Sequence, residues 1–173
     1  MGGSMADTQT LHGLDGVLER MRSLPPAIVS KKGGIVAPAL GKGGNVIQKE
    51  AQANVRKVTR NSIGEGYANT DVLAKAIVVR RDPNPQRSGA AERYRVLIAR
   101  GRKYGDRLNK KGGKPLTAVM TGRWLEFGDE HQPAEPWMTP AFMSARQRAL
   151  NTVVDELGKG LQRAIRKAER GAK

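Results

Sequence analysis

The residues best suited to chemistry in this chain fall in DEHQPAE, Asp129 to Glu135. His131, one of two histidines with His12, sits there among Asp129, Glu130 and Glu135. Imidazole and carboxylates can ligate a metal, but a closed site needs its ligands at set spacings, and no second histidine is near. The stretch therefore reads as a solvated loop. Glu126 and Glu135 are the other candidates, a carboxylate pair for acid–base work. Such a pair must be held in a cleft, and these two only flank a loop. No nucleophile elbow is present for a serine triad. The chain has no cysteine, which removes disulfides, thiolate ligands and a thiol nucleophile. GKGG (Gly41–Gly44) and KKGGK (Lys110–Lys114) do not match the phosphate-cradling G-x-x-x-x-G-K-[ST] pattern. The expectation is a protein with no catalytic residue, metal or cofactor, and not an enzyme.

The charge is more informative. The chain has 173 residues with 31 Lys+Arg against 16 Asp+Glu, a formal net charge of +15, which implies nucleic acid or an acidic protein surface nearby. The charge is segregated. Arg80 to Lys114 holds 12 Lys+Arg against Asp82, Glu92 and Asp106, so 12 − 3 = +9 lies in that window. Trp124 to Ser144 holds no Lys or Arg and carries Glu126, Asp129, Glu130 and Glu135. The basic window contains Tyr94 and Tyr104 but no run of aromatics of the kind that stacks single-stranded bases, and no helix-turn-helix or zinc-finger pattern is present. Contact with DNA would be electrostatic and blind to sequence.

The elements that must position these residues read as a single α+β domain over 11–173, after a flexible N-terminus or tag over 1–10. MGGS before Met5 has the look of an expression scar, and MGGSMADTQT lacks the basic and apolar regions of a signal peptide. No apolar run reaches the roughly 18 residues needed to span a membrane, so no membrane partner is expected. Leu14, Val17, Leu18 and Met21 mark a short amphipathic helix, and Pro25 and Pro26 open a second. Val36, Leu40, Ile47, Ala51, Val55 and Val58 continue on one stripe, but Pro38 and five glycines between Gly33 and Gly44 predict a break, with the solid helix over about 45–60. Asn61 to Thr70 reads as a loop; it and Lys32 to Gly44 are expected to order on assembly. VLAKAIVVRR leads into a strand ending near Arg81, and RYRVLIARGRK alternates as its antiparallel partner. Basic loops are expected at 82–92 and 104–114. LTAVMTGRWLEFG fits a strand or a short helix. Thr139 followed by Pro140 predicts an N-cap and first helical position, after which Phe142, Leu150, Val153, Leu157, Leu161 and Ile165 mark the buried face of a long final helix. The fold expected is a small antiparallel sheet packed by an N-terminal helical segment and a long C-terminal helix.

LEFGDEHQPAEPWMTPAF, Leu125 to Phe142, resembles the signature of the head–tail joining family of long-tailed bacteriophages, the neck or tail-completion proteins related to the minor tail protein Z of phage lambda. Members carry a Glu-Phe-Gly triplet, a short variable loop, a Pro-Phe-x-x-Pro-Ala segment and a long C-terminal helix. Here the triplet is Glu126, Phe127 and Gly128, and the second segment runs through Pro136, Trp137, Pro140 and Ala141, with Trp137 in place of the usual Phe. GLDGVLERMRSLPPAIVSKK resembles the family opening, whereas GEGYANTDVLAKAIVVRR departs from the Pro and Thr-Gly-x-Leu common before the first strand.

The resemblance implies a non-enzymatic virion protein made in the bacterial host cytoplasm. It implies a ring of copies, hexameric number being one option, between the portal end of the head and the top of the tail. The partners would be head-closure or connector proteins and tail-tube or terminator proteins, and DNA would pass through the channel. A terminator ring capping the tail tube is an alternative position, and a stand-alone, sequence-nonspecific DNA-binding protein an alternative class. Segregated charge suits a heterologous ring contact. Glu126, Asp129, Glu130 and Glu135 are expected to face Arg93, Arg95 or Arg102 of the next subunit. Arg80, Arg81, Arg100, Lys103, Arg107, Lys110 and Lys111 are the candidates for the channel wall. Trp137, Phe127 and Phe142 are expected to anchor the last helix on the sheet.

Overall fold

The computed structural model describes residues 34–61, 71–108, 113–130 and 132–171. The expected helices before Gly33, the Asn61–Thr70 loop beyond its first residue, His131 and the Lys110–Lys111 pair lie outside these residues. In chain order the elements are α1 (Val36–Asn61), α2 (Val72–Ala76), β1 (Ile77–Arg81), a 3-10 turn over Pro85–Ser88, β2 (Tyr94–Ile98), β3 (Lys103–Leu108), β4 (Pro115–Thr117), α3 (Ala118–Phe127) and α4 (Met138–Gly171). This is the α+β arrangement expected, with the strands in two antiparallel pairs, β1–β2 and β3–β4.

α1 and α4 pack antiparallel. Lys42 Nζ meets Glu156 Oε2 at 2.6 Å while Glu50 Oε2 accepts from Arg148 at 2.7 Å, so numbers rise along one helix as they fall along the other. Small side chains line the seam: Ala39, Ala51 and Val55 with Gly43 on α1, and Ala141, Ala145, Ala149, Leu157 and Leu161 on α4 are all buried. The predicted break in α1 does not occur. Pro38 falls in the first turn, where a backbone N–H has no helical acceptor to lose. A Cβ on Gly43 would lie 2.4 Å from Val153 Cγ2 and 3.1 Å from the Ala149 carbonyl oxygen, and one on Gly44 would lie 2.8 Å from Val79 Cγ1. Each glycine costs about 1 kcal/mol of helix propensity relative to Ala, and in return α1 lies close against both α4 and β1. The Gly34–Gly44 portion of the segment expected to order on assembly is thus already folded within one chain.

β1 and β2 pair with Ile77 opposite Ile98 and Arg81 opposite Tyr94. Alternation turns Ile77, Val79, Val96 and Ile98 toward the helices, and Gln48 and Gln52 of α1 donate to the Ile77 carbonyl at 2.7 and 3.3 Å. The core gathers Ala51, Val55, Leu73, Ala74, Ala76, Ile77, Ala118, Leu125, Trp137 and Ala141, with Val96, Ile98 and Tyr104 packed on it.

The basic loop expected over 104–114 is corrected at its start. Lys103–Leu108 is strand β3, because Tyr104 packs on the core and its hydroxyl meets Thr121 Oγ1 at 2.9 Å, tying the strand to α3. The segment open between strand and helix is both. β4 ends at Thr117, whose extended backbone and side-chain oxygen, accepting from Met120 N at 3.4 Å, cap α3. Among the described residues no helix is long and apolar enough to cross a membrane.

Candidate functional site

The motif residues come together at the junction of α3 and α4. α3 ends at Phe127 because Gly128 takes φ 73°, a conformation open to glycine, and a Cβ there would lie 2.9 Å from Ala134 N. The chain turns back through Asp129, which forms an isolated bridge with Gln132 and accepts from the Gln132 N–H at 3.0 Å on its Oδ1. Glu135 N–H then donates to the Leu125 carbonyl at 2.7 Å, and α4 starts at Met138.

Glu126 holds that start. Its Oε2 accepts from Trp137 N at 2.8 Å and Met138 N at 2.7 Å; its Oε1 accepts from Thr139 N at 3.0 Å and Thr139 Oγ1 at 2.5 Å. The N-cap expected at Thr139 is therefore corrected. The helix begins one residue before Thr139, and the acceptor for its orphan donors arrives from α3, 11 to 13 residues back. Pro140, third in the helix, has no N–H to satisfy, so the carboxylate and the proline between them account for the first turn. The carboxylate also complements the positive end of the helix dipole. Partial burial is the largest single influence on its titration and pushes it up. The hydrogen bonds from the Thr139 hydroxyl and from Met138, Trp137 and Thr139 N–H together outweigh burial and hold the pKa below the ordinary glutamate value.

Trp137 anchors the junction as expected. It is 3% exposed, and its Nε1 donates to the Gly122 carbonyl at 2.9 Å. A Cβ on Gly122 would sit 3.5 Å from Trp137 Cζ2 and 2.4 Å from Ile98 Cδ1, so the indole lies where α3 approaches β2. The other two aromatic anchors are corrected. Phe127 is 76% exposed and Phe142 50% exposed, with Met143 beside it at 58%. The buried stripe of α4 runs through Ala141, Ala145 and Ala149 instead, because the closely packed α1 leaves no room for a phenyl ring. Ile165, also expected inside, is 43% exposed.

The basic residues divide into two sets. Arg81 donates to both oxygens of Glu92, Nε at 2.5 Å and Nη2 at 2.8 Å, and those contacts raise its already high pKa. Arg93 grips buried Asp82 through Nε at 2.6 Å and through Nη2, and Arg95 approaches the same carboxylate at 3.7 Å. The Asn84 N–H, then Arg93 and Arg95, hold the Asp82 carboxyl below its usual range against the effect of burial. Arg81 and Arg93, expected on a channel wall and at a subunit contact, are thus engaged within the chain. Arg80, Arg100, Arg102 and Lys103 are exposed. The Arg107 side chain, Lys110 and Lys111 lie outside the described residues. Glu126, expected at a subunit contact, is committed to the first turn of α4.

Among the described residues no group of three His, Asp or Glu could hold a metal ion. The open depression lined by Arg81, Asp82, Pro83, Pro85, Gln86 and Glu92 has its charged side chains paired within the chain, Arg81 with Glu92 and Asp82 with Arg93. Comparison with family models, curated proteins and solved structures finds no match.

Proposed function

We propose that the chain is a structural component of a tailed-phage neck, a ring subunit that completes the tail and joins it to the head around the DNA channel. One observation carries this reading. The residues by which the sequence resembles head–tail joining proteins form a single closed unit, with Glu126 capping α4, Gly128 reversing the chain and Trp137 locking α3 to the sheet. A terminator ring capping the tail tube would use the same unit one level lower. The reading as a stand-alone DNA-binding protein is favoured by one feature, the exposed cations Arg80, Arg100, Arg102 and Lys103.

The test is a nonsense mutation at Trp124 in the phage that encodes the chain, with the protein supplied in trans as control. Filled heads and tails lacking their completed upper end that fail to join, and that join again on complementation, are the expected outcome. Normal virions without the protein would exclude the neck role.

A further inference from the structure

Strand alternation sorts the charges of the β1–β2 ribbon by face. Arg81 stands opposite Tyr94 on the side of α1, and its guanidinium is spent on both oxygens of Glu92. The outer side carries Arg80 opposite Arg95, and one step on, Asp82 opposite Arg93, whose carbonyl accepts from the Asp82 N–H at 2.8 Å. Three cations there share one carboxylate. That carboxylate is buried, is gripped by Arg93 through Nε and Nη2, and reaches Arg95 only at 3.7 Å. Arg80 is exposed and in no ion pair among the described residues. Like charges directly opposite on neighbouring strands oppose their pairing, so the Arg80–Arg95 pair works against the ribbon that carries it.

The same sign continues past the strand. Arg93 to Lys103 holds five cations and no Asp or Glu. Arg100 and Arg102 flank Gly101, whose φ of 81° makes the turn, and both are exposed with Lys103 next to them. None of these three is in an ion pair among the described residues. At about 3.3 Å per residue, Arg95 and Arg100 lie up to about 16 Å apart. The aromatic rings of this window are turned inward. Tyr94 Cε1 would lie 3.4 Å from a Cβ on Gly41, and the Tyr104 hydroxyl meets Thr121. No ring is thus presented for stacking bases. The large apolar side chains exposed among the described residues, Phe127, Phe142, Met143 and Ile165, all lie on α3 and α4. The basic face therefore lacks the apolar anchor on which protein–protein contacts rely.

We propose that this face, Arg80 and Arg95 with Arg100, Arg102 and Lys103 of the turn, binds the sugar–phosphate backbone of duplex DNA without reading its sequence. A phosphate between Arg80 and Arg95 relieves their repulsion, and guanidinium N–H groups match phosphate oxygens in pairs. Duplex DNA carries one negative charge per about 1.7 Å of axis, a denser array than a single strand offers. Contacts to nucleic acid are also more polar and more positive than contacts between proteins, which suits a face with charge and no anchor. The inference deepens the ring reading by naming the face a subunit turns to DNA, and rests on that reading only for where the DNA is met.

The test titrates the full chain into a fluorescein-labelled duplex of about 20 base pairs and reads anisotropy between about 50 and 200 mM salt. The wild type is expected to bind with a log affinity that falls linearly with log salt, and to bind a single strand of the same length more weakly. R80E turns the opposed arginines into a cross-strand pair of opposite charge. It is expected to melt no lower than the wild type and to bind duplex about tenfold or more weakly. R100E/R102E, in the exposed turn, is expected to show a like loss with unchanged far-ultraviolet circular dichroism. R163E makes the same change of net charge as R80E on exposed α4 and is expected to stay within about twofold of the wild type. A wild type that binds no duplex at the lowest salt, equal losses in R80E and R163E, or tighter binding to the single strand would each overturn the proposal. So would polyglutamate of equal charge competing as well as duplex, which would assign the face to an acidic protein. A chain that binds no duplex yet still joins heads to tails would overturn this contact alone and leave the neck role standing.

Discussion

The acidic clasp and the basic ribbon hold their charges on opposite terms. In the clasp a single carboxylate, Glu126, satisfies three backbone donors and a hydroxyl, and its charge is absorbed by the end of a helix. In the ribbon a single buried carboxylate, Asp82, is shared between two guanidiniums, and Arg80 is left exposed beside them. The clasp is electrostatically closed at its centre and apolar at its rim; the ribbon is apolar at one end and open in charge at the other. Net charge of a segment therefore says little about what the segment can bind. What matters is how many of its charges the fold has already used.

The contrast can be broken at several points. The largest effect is expected at the anchor. Trp137→Ala removes a buried indole and its hydrogen bond and should lower stability by about 3–5 kcal/mol, read by chemical denaturation. Phe127→Ala, equally aromatic but exposed, should stay within about 0.5 kcal/mol of the wild type. Next comes the clasp. Glu126→Gln loses the ionised acceptor and should cost about 1–3 kcal/mol. The pH dependence has a definite sign. The folded pKa of Glu126 is depressed, so its stabilisation is present above the ordinary glutamate value of 4.5 and is lost as pH falls from there through the folded value. Thermal melts across that acid range should show a steeper decline for the wild type than for Glu126→Gln.

A smaller pair of changes tests the helix seam. Gly43→Ala places a methyl group 2.4 Å from Val153 and should destabilise by about 1–3 kcal/mol. Gly158→Ala, in α4 with nothing within 4 Å, should stabilise by up to about 1 kcal/mol. The smallest effect concerns the turn after β2. Replacing Arg100, Arg102 and Lys103 with Ala should leave stability within about 0.5 kcal/mol of the wild type. If the turn faces DNA, the same replacement should flatten the salt dependence of duplex binding, by about one unit of slope for each phosphate no longer neutralised.

Much of the scaffold is legible in the sequence, because it rests on local patterns. Alternation in RYRVLIARGRK identifies β2 and its antiparallel partner, and the aromatic-proline run in PWMTPA locates the start of the last helix to within two residues. The scarcity of aromatics points to Trp137 as an anchor. What is hidden depends on distance between segments. The glycines of α1 look like helix breakers until Val153 and Val79 are seen against them. Phe142 and Ile165 fit a helical stripe that the alanines occupy instead, since the narrow seam selects size over hydrophobicity. The cap from Glu126 spans a loop whose path no spacing rule gives. For the clasp, the Glu-Phe-Gly triplet offers a position but no role. For the ribbon, the charge count is plain in the sequence while the internal pairing of Arg81 and Arg93 is invisible there.

Whether this fold builds a ring in a phage neck is tested most directly by a cryo-electron reconstruction of the virion neck. The expected result is a closed ring of subunits at the head–tail junction, around the DNA, in which the antiparallel α1–α4 pair fits the density. A fully accounted neck with no density for that helix pair would contradict it.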